Sequence, residues 1–74
     1  MKITIMVFVF KTNVKEEQVD KVNSLLSPVK SIEEWNFDLS DCDRILRVVA
    51  DKLPPELVVY LLQGSGLYCT ELED

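Results

Sequence analysis

Two cysteines and a cluster of aspartates are the residues of this sequence that could ligate a metal ion or support catalysis. Cys42 and Cys69 lie far apart, and the 74-residue sequence contains no histidine that could activate a thiol. We therefore expect Cys42 to be an ordinary thiol in a turn. Cys69 stands among apolar residues near the end of the sequence, and we expect it to act as a small hydrophobic residue.

The aspartates Asp38, Asp41 and Asp43 lack the spacing and the glycine of a calcium-binding loop, so we expect a solvated turn. Acyl-phosphate hydrolysis on a small α+β domain would need an arginine-containing phosphate loop with a nearby asparagine. No such combination surrounds Arg44 or Arg47 in the sequence. These residue types predict a protein that is not an enzyme and that uses no cofactor.

Charge and composition narrow the possible partners. The sequence has 8 Lys+Arg against 13 Asp+Glu, and the formal net charge of −5 opposes binding to nucleic acid or to an anionic membrane. The low cysteine content is typical of a reducing compartment, so we expect a cytoplasmic protein. The apolar run at residues 3–10 is too short to span a bilayer and lacks a small-residue cleavage site. We expect a strand there and no membrane insertion.

The first half of the sequence changes its apolar period after this run. Residues 14–28 place apolar side chains at spacings of three and four, which predicts an amphipathic helix. Asn13 and Glu16 are spaced as an N-cap pair, and Pro28 marks the other end. The predicted core face of this helix consists of Val19, Val22, Leu25, Leu26 and Val29.

The second half predicts a hairpin, a helix and a short final strand. Residues 32–39 and 44–50 are the arms of the hairpin around a turn at 40–43. The pair Pro54 and Pro55 begins a helix that Gly64 and Gly66 end, and residues 67–72 form the last strand. The order β-α-β-β-α-β predicts an α+β, ferredoxin-like domain over residues 1–74, with an antiparallel sheet in the order 4-1-3-2 and both helices on one face.

With this order, the sequence resembles the heavy-metal-associated domain family of copper chaperones and metal-pumping ATPases. The resemblance covers almost the whole sequence and lies in packing positions. Residues 10–14 resemble the loop after the first strand, 35–39 resemble the V-x-V-D-L strand, and Gly66 with Leu67 resembles the exit from the second helix.

The resemblance implies a C-x-x-C metal motif at the start of the first helix, where two thiolates bind Cu(I). Lys15 and Gln18 occupy the corresponding positions. An ammonium group does not ligate a cation and an amide oxygen is a poor ligand for a soft metal, so we expect no metal there. Two interpretations of Lys15 stay open: an ordinary exposed lysine, or a fixed positive charge that stands in for the metal.

An excess of apolar residues is the strongest indication of function. If Met6, Phe8 and Phe10 face the helices, the alternate residues of the first strand face outward, although a sheet with helices on one face should be polar on the other. Large exposed apolar patches are typical of interaction surfaces. The third strand places Arg47 on the same outward face. The expected interface residues lie on the outer sheet face (Ile3, Ile5, Val7, Val9, Ile45, Val49 and Tyr68) and on the far side of the second helix (Leu57, Tyr60 and Leu61).

The sequence therefore predicts a protein-binding or regulatory module with a degenerate metal site, and we expect the partner to be a protein, most simply a second copy in a homodimer. The alternative is a metal-binding or metallochaperone role in which a partner or a second subunit supplies the ligands. Direct metal titration separates the two.

Overall fold

The computed structural model describes residues 5–40 and 44–72, which form four strands and two α-helices in the order β-α-β-β-α-β. A short 3-10 turn, Glu16–Gln18, precedes the first α-helix. Ile3, Asp41, Cys42 and Asp43, for which the sequence makes predictions, lie outside the described residues. The elements are β1 Ile5–Thr12, α1 Val19–Leu26, β2 Ile32–Asp38, β3 Ile45–Asp51, α2 Pro55–Gly64 and β4 Cys69–Glu71.

The four strands form one antiparallel sheet in the order β2-β3-β1-β4. This is the predicted order, and the predicted ferredoxin-like fold is confirmed. β1 lies inside the sheet and pairs with β3 from Ile5 opposite Asp51 to Lys11 opposite Ile45. β4 is short and pairs only with the second half of β1, from Phe10 to Thr12.

The core lies between the sheet and the two helices. On β1 the inward side chains Phe8 and Phe10 are buried. Met6 lies on the same face of the strand, near its beginning, and is exposed. Trp35 and Phe37 of β2 meet edge to face with ring centroids 5.9 Å apart and pack against the core. Each fully buried large side chain contributes about 1.5–3 kcal/mol of transfer free energy. The largest of them are Phe10, Leu26, Leu46 and Leu62, with Val14, Val22, Val48, Val58 and Cys69.

The start of the first helix differs from the prediction. Asn13 does not cap it; its Oδ1 atom accepts a hydrogen bond of 2.9 Å from the backbone N–H of Tyr68, which ties the loop to the segment before β4. Lys15, in an extended conformation, is instead the N-cap of the 3-10 turn, and the side chain of Gln18 accepts a hydrogen bond of 2.9 Å from its backbone N–H. Gln18 is the N-cap of α1. The prediction failed because Asn13 has a tertiary partner that sequence spacing does not reveal.

The ends of α2 follow the prediction. Pro54 is the N-cap and Pro55 is the first helical residue, where a missing N–H costs no hydrogen bond. At the other end Gly66 has a φ of +85°, and the N–H groups of Gly66 and Leu67 bond to the carbonyls of Gln63 and Leu62 at 3.0 Å. This is a Schellman ending, in which buried Leu67 also packs near buried Leu62.

Within residues 5–40 and 44–72, neither helix has the length and the apolar composition needed to cross a membrane.

Candidate protein-binding face

The loop between β1 and α1 is attached to the sheet by Thr12 and Arg44. The buried Thr12 hydroxyl donates a hydrogen bond of 2.7 Å to the Arg44 carbonyl and accepts one of 3.2 Å from the N–H of Val14. The Arg44 guanidinium in turn donates a long hydrogen bond of 3.4 Å to the Val14 carbonyl. The loop that would carry a metal motif is therefore held against the start of β3.

The two positions that the family resemblance assigns to metal ligands lie at the two ends of the 3-10 turn, with Lys15 as its N-cap and Gln18 as its last residue. Lys15 is exposed, and its ammonium group has no lone pair to donate. The Oε1 atom of Gln18, the better candidate ligand, is already the acceptor for the Lys15 N–H. These two side chains do not fit a soft metal ion.

Beside these positions is an open depression of about 490 Å³. Its charged residues have both signs. Among the described residues, no cluster of three or more histidine, cysteine or acidic side chains could hold a metal ion. The depression is lined by Lys15, Glu16, Glu17, Leu39, Ser40 and Arg44.

Cys69, the cysteine that the structure describes, is almost fully buried in the core. Burial raises the pKa of its thiol from 9.0 to about 11, because the apolar surroundings disfavour the thiolate. The thiol is therefore protonated and inaccessible at neutral pH, as expected of a small hydrophobic residue.

The outer face of the sheet, on the side away from the helices, carries the apolar residues of the expected interface. Ile5 and Val7 are 58% and 62% exposed, Val9 and Val49 are half-buried, and Tyr68 is 50% exposed. Val7 lies directly opposite Val49 in the sheet. The structure thus brings these residues onto one surface.

Ile45 departs from this expectation. Its register places it on the outer face, between Lys11 of β1 and Asp38 of β2, but it is only 7% exposed. Ile45 therefore supports the sheet from its outer side and offers little accessible surface.

The side chains on the far side of α2 are also less uniformly exposed than the helical periodicity predicts. Tyr60 is 78% exposed, but Leu57 and Leu61 are half-buried and pack against the core. A single exposed tyrosine is ordinary for a protein surface. The outer sheet face is the larger apolar surface.

The sequence predicts that Arg47 lies on this face, but it did not identify Leu72 or Glu34 as part of it. Leu72 is exposed after β4, and its N–H donates a hydrogen bond of 2.9 Å to the Val9 carbonyl, so the apolar surface continues beyond the last strand. Arg47 and Glu34 also lie on the face, as the neighbours of Val9 and Val49 respectively. The alternation along each strand assigns these residues to a face, but only the register of the pairs shows which ones are adjacent.

Comparison with solved structures identifies the fold. The chain is similar to a structure described as the apo form of the HMA domain of copper chaperone for superoxide dismutase, with a TM-score of 0.77 and 23% sequence identity over 99% of this chain and 72% of that chain. No protein-family model and no curated protein sequence matches. A similarity at this level of identity concerns the fold and not the activity. The resemblance is confirmed to that extent: this chain has the fold of a heavy-metal-associated domain.

Proposed function

We propose that this chain is a cytoplasmic protein-binding module and not an enzyme, with a single domain over residues 1–74 whose metal site is degenerate. The observation that carries the proposal is the exposed apolar surface of the outer sheet face, centred on Val7. Exposed isoleucine and valine side chains clustered on one face cost free energy in water unless a partner covers them. Tyr68 at the margin of this surface adds an aromatic residue of the type that contributes strongly to protein interfaces.

The chemistry of the loop at Lys15 and Gln18 supports the second part of the proposal. Neither side chain is a ligand for a soft metal, and the Gln18 side chain is used to cap the 3-10 turn. Cys69 cannot substitute for the missing thiolates without leaving the core. Both observations support a degenerate metal site at this loop.

The second candidate is a metal-binding or metallochaperone role, and the observation that favours it is the fold shared with the HMA domain of a copper chaperone. It requires ligands from a partner or from a second subunit. A titration of the purified chain with Cu(I) and with Zn(II) against a chromogenic chelator tests it. Stoichiometric binding tighter than about micromolar, lost in Cys42→Ser or Cys69→Ser, would favour this candidate over the first.

Photo-crosslinking tests the binding surface directly. A photoreactive amino acid replaces Val7 on the outer face and, as the matched control, Asn23 on the exposed side of α1. In cells that produce the chain, position 7 should crosslink to a defined protein, identified by mass spectrometry, and position 23 should not. Equal or absent crosslinking at the two positions would refute the proposed surface.

A further inference from the structure

We propose that the outer sheet face binds a second copy of this chain, sheet against sheet, around a twofold axis that runs across the strands. The inference rests on the proposed function, since it names the partner of the same surface. It follows from the positions of two charged residues, Arg47 and Glu34, relative to the apolar residues of β1 and β3.

The register of the sheet arranges the outward side chains in rows. In one row Val7 of β1 lies beside Val49 of β3, which lies beside Glu34 of β2. The next row consists of Val9, Arg47 and Asn36 on the same three strands. The rows are about 7 Å apart, because two residues advance a strand by that distance. One row therefore ends in a carboxylate, and the other has a guanidinium at its centre.

Consider a twofold axis that runs perpendicular to the strands and passes between these two rows. It exchanges the two rows, and each strand then faces the same strand of the other copy. Val9 of one copy then faces Val7 of the other. Arg47 faces the row of the other copy that contains Glu34. Glu34 lies one strand to the side, at a strand spacing of about 5 Å, and the long side chain of Arg47 can reach it. Symmetry repeats the contact, so the apolar centre is flanked by two ion pairs.

An axis parallel to the strands does not give this match. It keeps the rows in place and exchanges β1 with β3, so that Arg47 faces Val9 of the other copy and no carboxylate. A charge enclosed in an apolar interface without a partner is costly. Charge complementarity therefore selects the axis that crosses the strands.

Both charged groups are available for such a contact. Arg47 and Glu34 are exposed, and neither side chain has a hydrogen bond or an ion pair with any residue in the ranges 5–40 and 44–72. Val9 and Val49 beside them are already half-buried, so the second copy would complete their burial.

The size of the face sets the expected strength of the dimer. Four strands at a spacing of about 5 Å make a face about 20 Å wide, which buries less than the roughly 800 Å² per partner of a standard interface. Two sheets packed about 10 Å apart and rotated by about 30° keep the rows in contact only near the axis. We expect a transient dimer with a dissociation constant on the order of 10–100 μM.

Charge-reversal variants test the orientation. Sedimentation velocity measures the dimer fraction of the wild type, Arg47→Glu, Glu34→Arg and an equimolar mixture of the two variants, between about 5 μM and 1 mM. Each variant alone should dimerise at least about tenfold more weakly than the wild type, because like charges then meet. The mixture should recover dimers to within about threefold, because the glutamate introduced in one variant meets the arginine introduced in the other. Lys30→Glu, a charge reversal in the exposed segment after α1, should leave dimerisation unchanged.

Two results would overturn the inference. If the wild type stays monomeric at about 1 mM, the partner of this face is not a second copy. If the mixture does not recover dimers, the two copies do not pair in the proposed orientation. Neither result refutes the proposed function, which the crosslinking at Val7 decides separately. If position 7 crosslinks to another protein while the wild type is monomeric, the surface is correct and the partner is not a second copy. Circular dichroism of each variant shows whether it is folded.

Discussion

Thr12 and Arg44 are joined by a hydrogen bond of 2.7 Å from the Thr12 hydroxyl to the Arg44 backbone carbonyl. This bond links the end of β1 to the residue before β3. Arg44 has a φ of +48°, an uncommon conformation for a residue with a side chain. The bond holds this backbone in place and, through the second bond to Val14, also positions the loop before α1.

Replacing Thr12 should therefore destabilise the fold. In Thr12→Val the Arg44 carbonyl and the Val14 N–H lose their partner, and we expect a loss of about 1–3 kcal/mol in the free energy of unfolding, measured by urea denaturation. Thr12→Ser keeps the hydroxyl and should lose less. Thr70→Val, a similar change at a half-buried strand position, should stay within about 0.5 kcal/mol of the wild type. A Thr12→Val variant that is as stable as the wild type would show that the hydroxyl is unimportant, and equal losses in Thr12→Ser and Thr12→Val would show that the methyl group contributes as much as the hydroxyl.

The two glycines at the end of α2 should respond in opposite directions to alanine. An added Cβ meets no atom within 4 Å at either position, so only the backbone conformation differs. Gly66→Ala places a side chain at φ +85° and should cost about 1 kcal/mol, whereas Gly64→Ala inside the helix should stabilise by about 0.5–1 kcal/mol. Thermal or urea unfolding of both variants measures the difference. A change of the same sign in both would contradict the Schellman ending.

The buried thiol of Cys69 should make stability fall at high pH. The pKa of Cys69 is raised from 9.0 to about 11 in the folded chain, so between these values the unfolded chain has released a proton that the folded chain retains. The free energy of unfolding should then decrease by up to about 1.4 kcal/mol per pH unit, and the effect is absent well below about pH 9.

Urea unfolding at about pH 8, 9 and 10 measures this dependence. The comparison is between Cys42→Ser and Cys42→Ser/Cys69→Ala, because these two variants differ only at Cys69. The decrease in stability should be steeper in the variant that retains Cys69. If the two slopes are the same, Cys69 is not desolvated in the folded chain.

Two cysteines introduced at the family's ligand positions should create a metal site. In Lys15→Cys/Gln18→Cys we expect stoichiometric Cu(I) binding that competes with a chromogenic chelator, because two thiolates are suitable ligands for a soft ion. Lys15→Ser/Gln18→Ser, which also removes the cap from the 3-10 turn, is the control and should bind no more than the wild type. Failure of the cysteine variant to bind would mean that these positions do not correspond to the family motif.

Much of the fold could be predicted from sequence because its signals are local. The apolar spacing in α1 and the prolines before α2 each act within one or two helical turns. Asn13 is the exception. Its spacing from Glu16 predicted an N-cap, but its side chain accepts a hydrogen bond from Tyr68. A local pattern does not reveal a partner that is distant in the sequence.

Local sequence patterns predicted the order of the elements and the ends of α2. They also predicted the outward direction of Ile5 and Val7, because side chains alternate along any strand. Which outward residues are neighbours depends on how the strands pair. Pairing between distant strands places Arg47 beside Val9 and buries Ile45 between Lys11 and Asp38. Register depends on every contact along the paired strands and on the turn that joins them, and no single segment of the sequence contains that information.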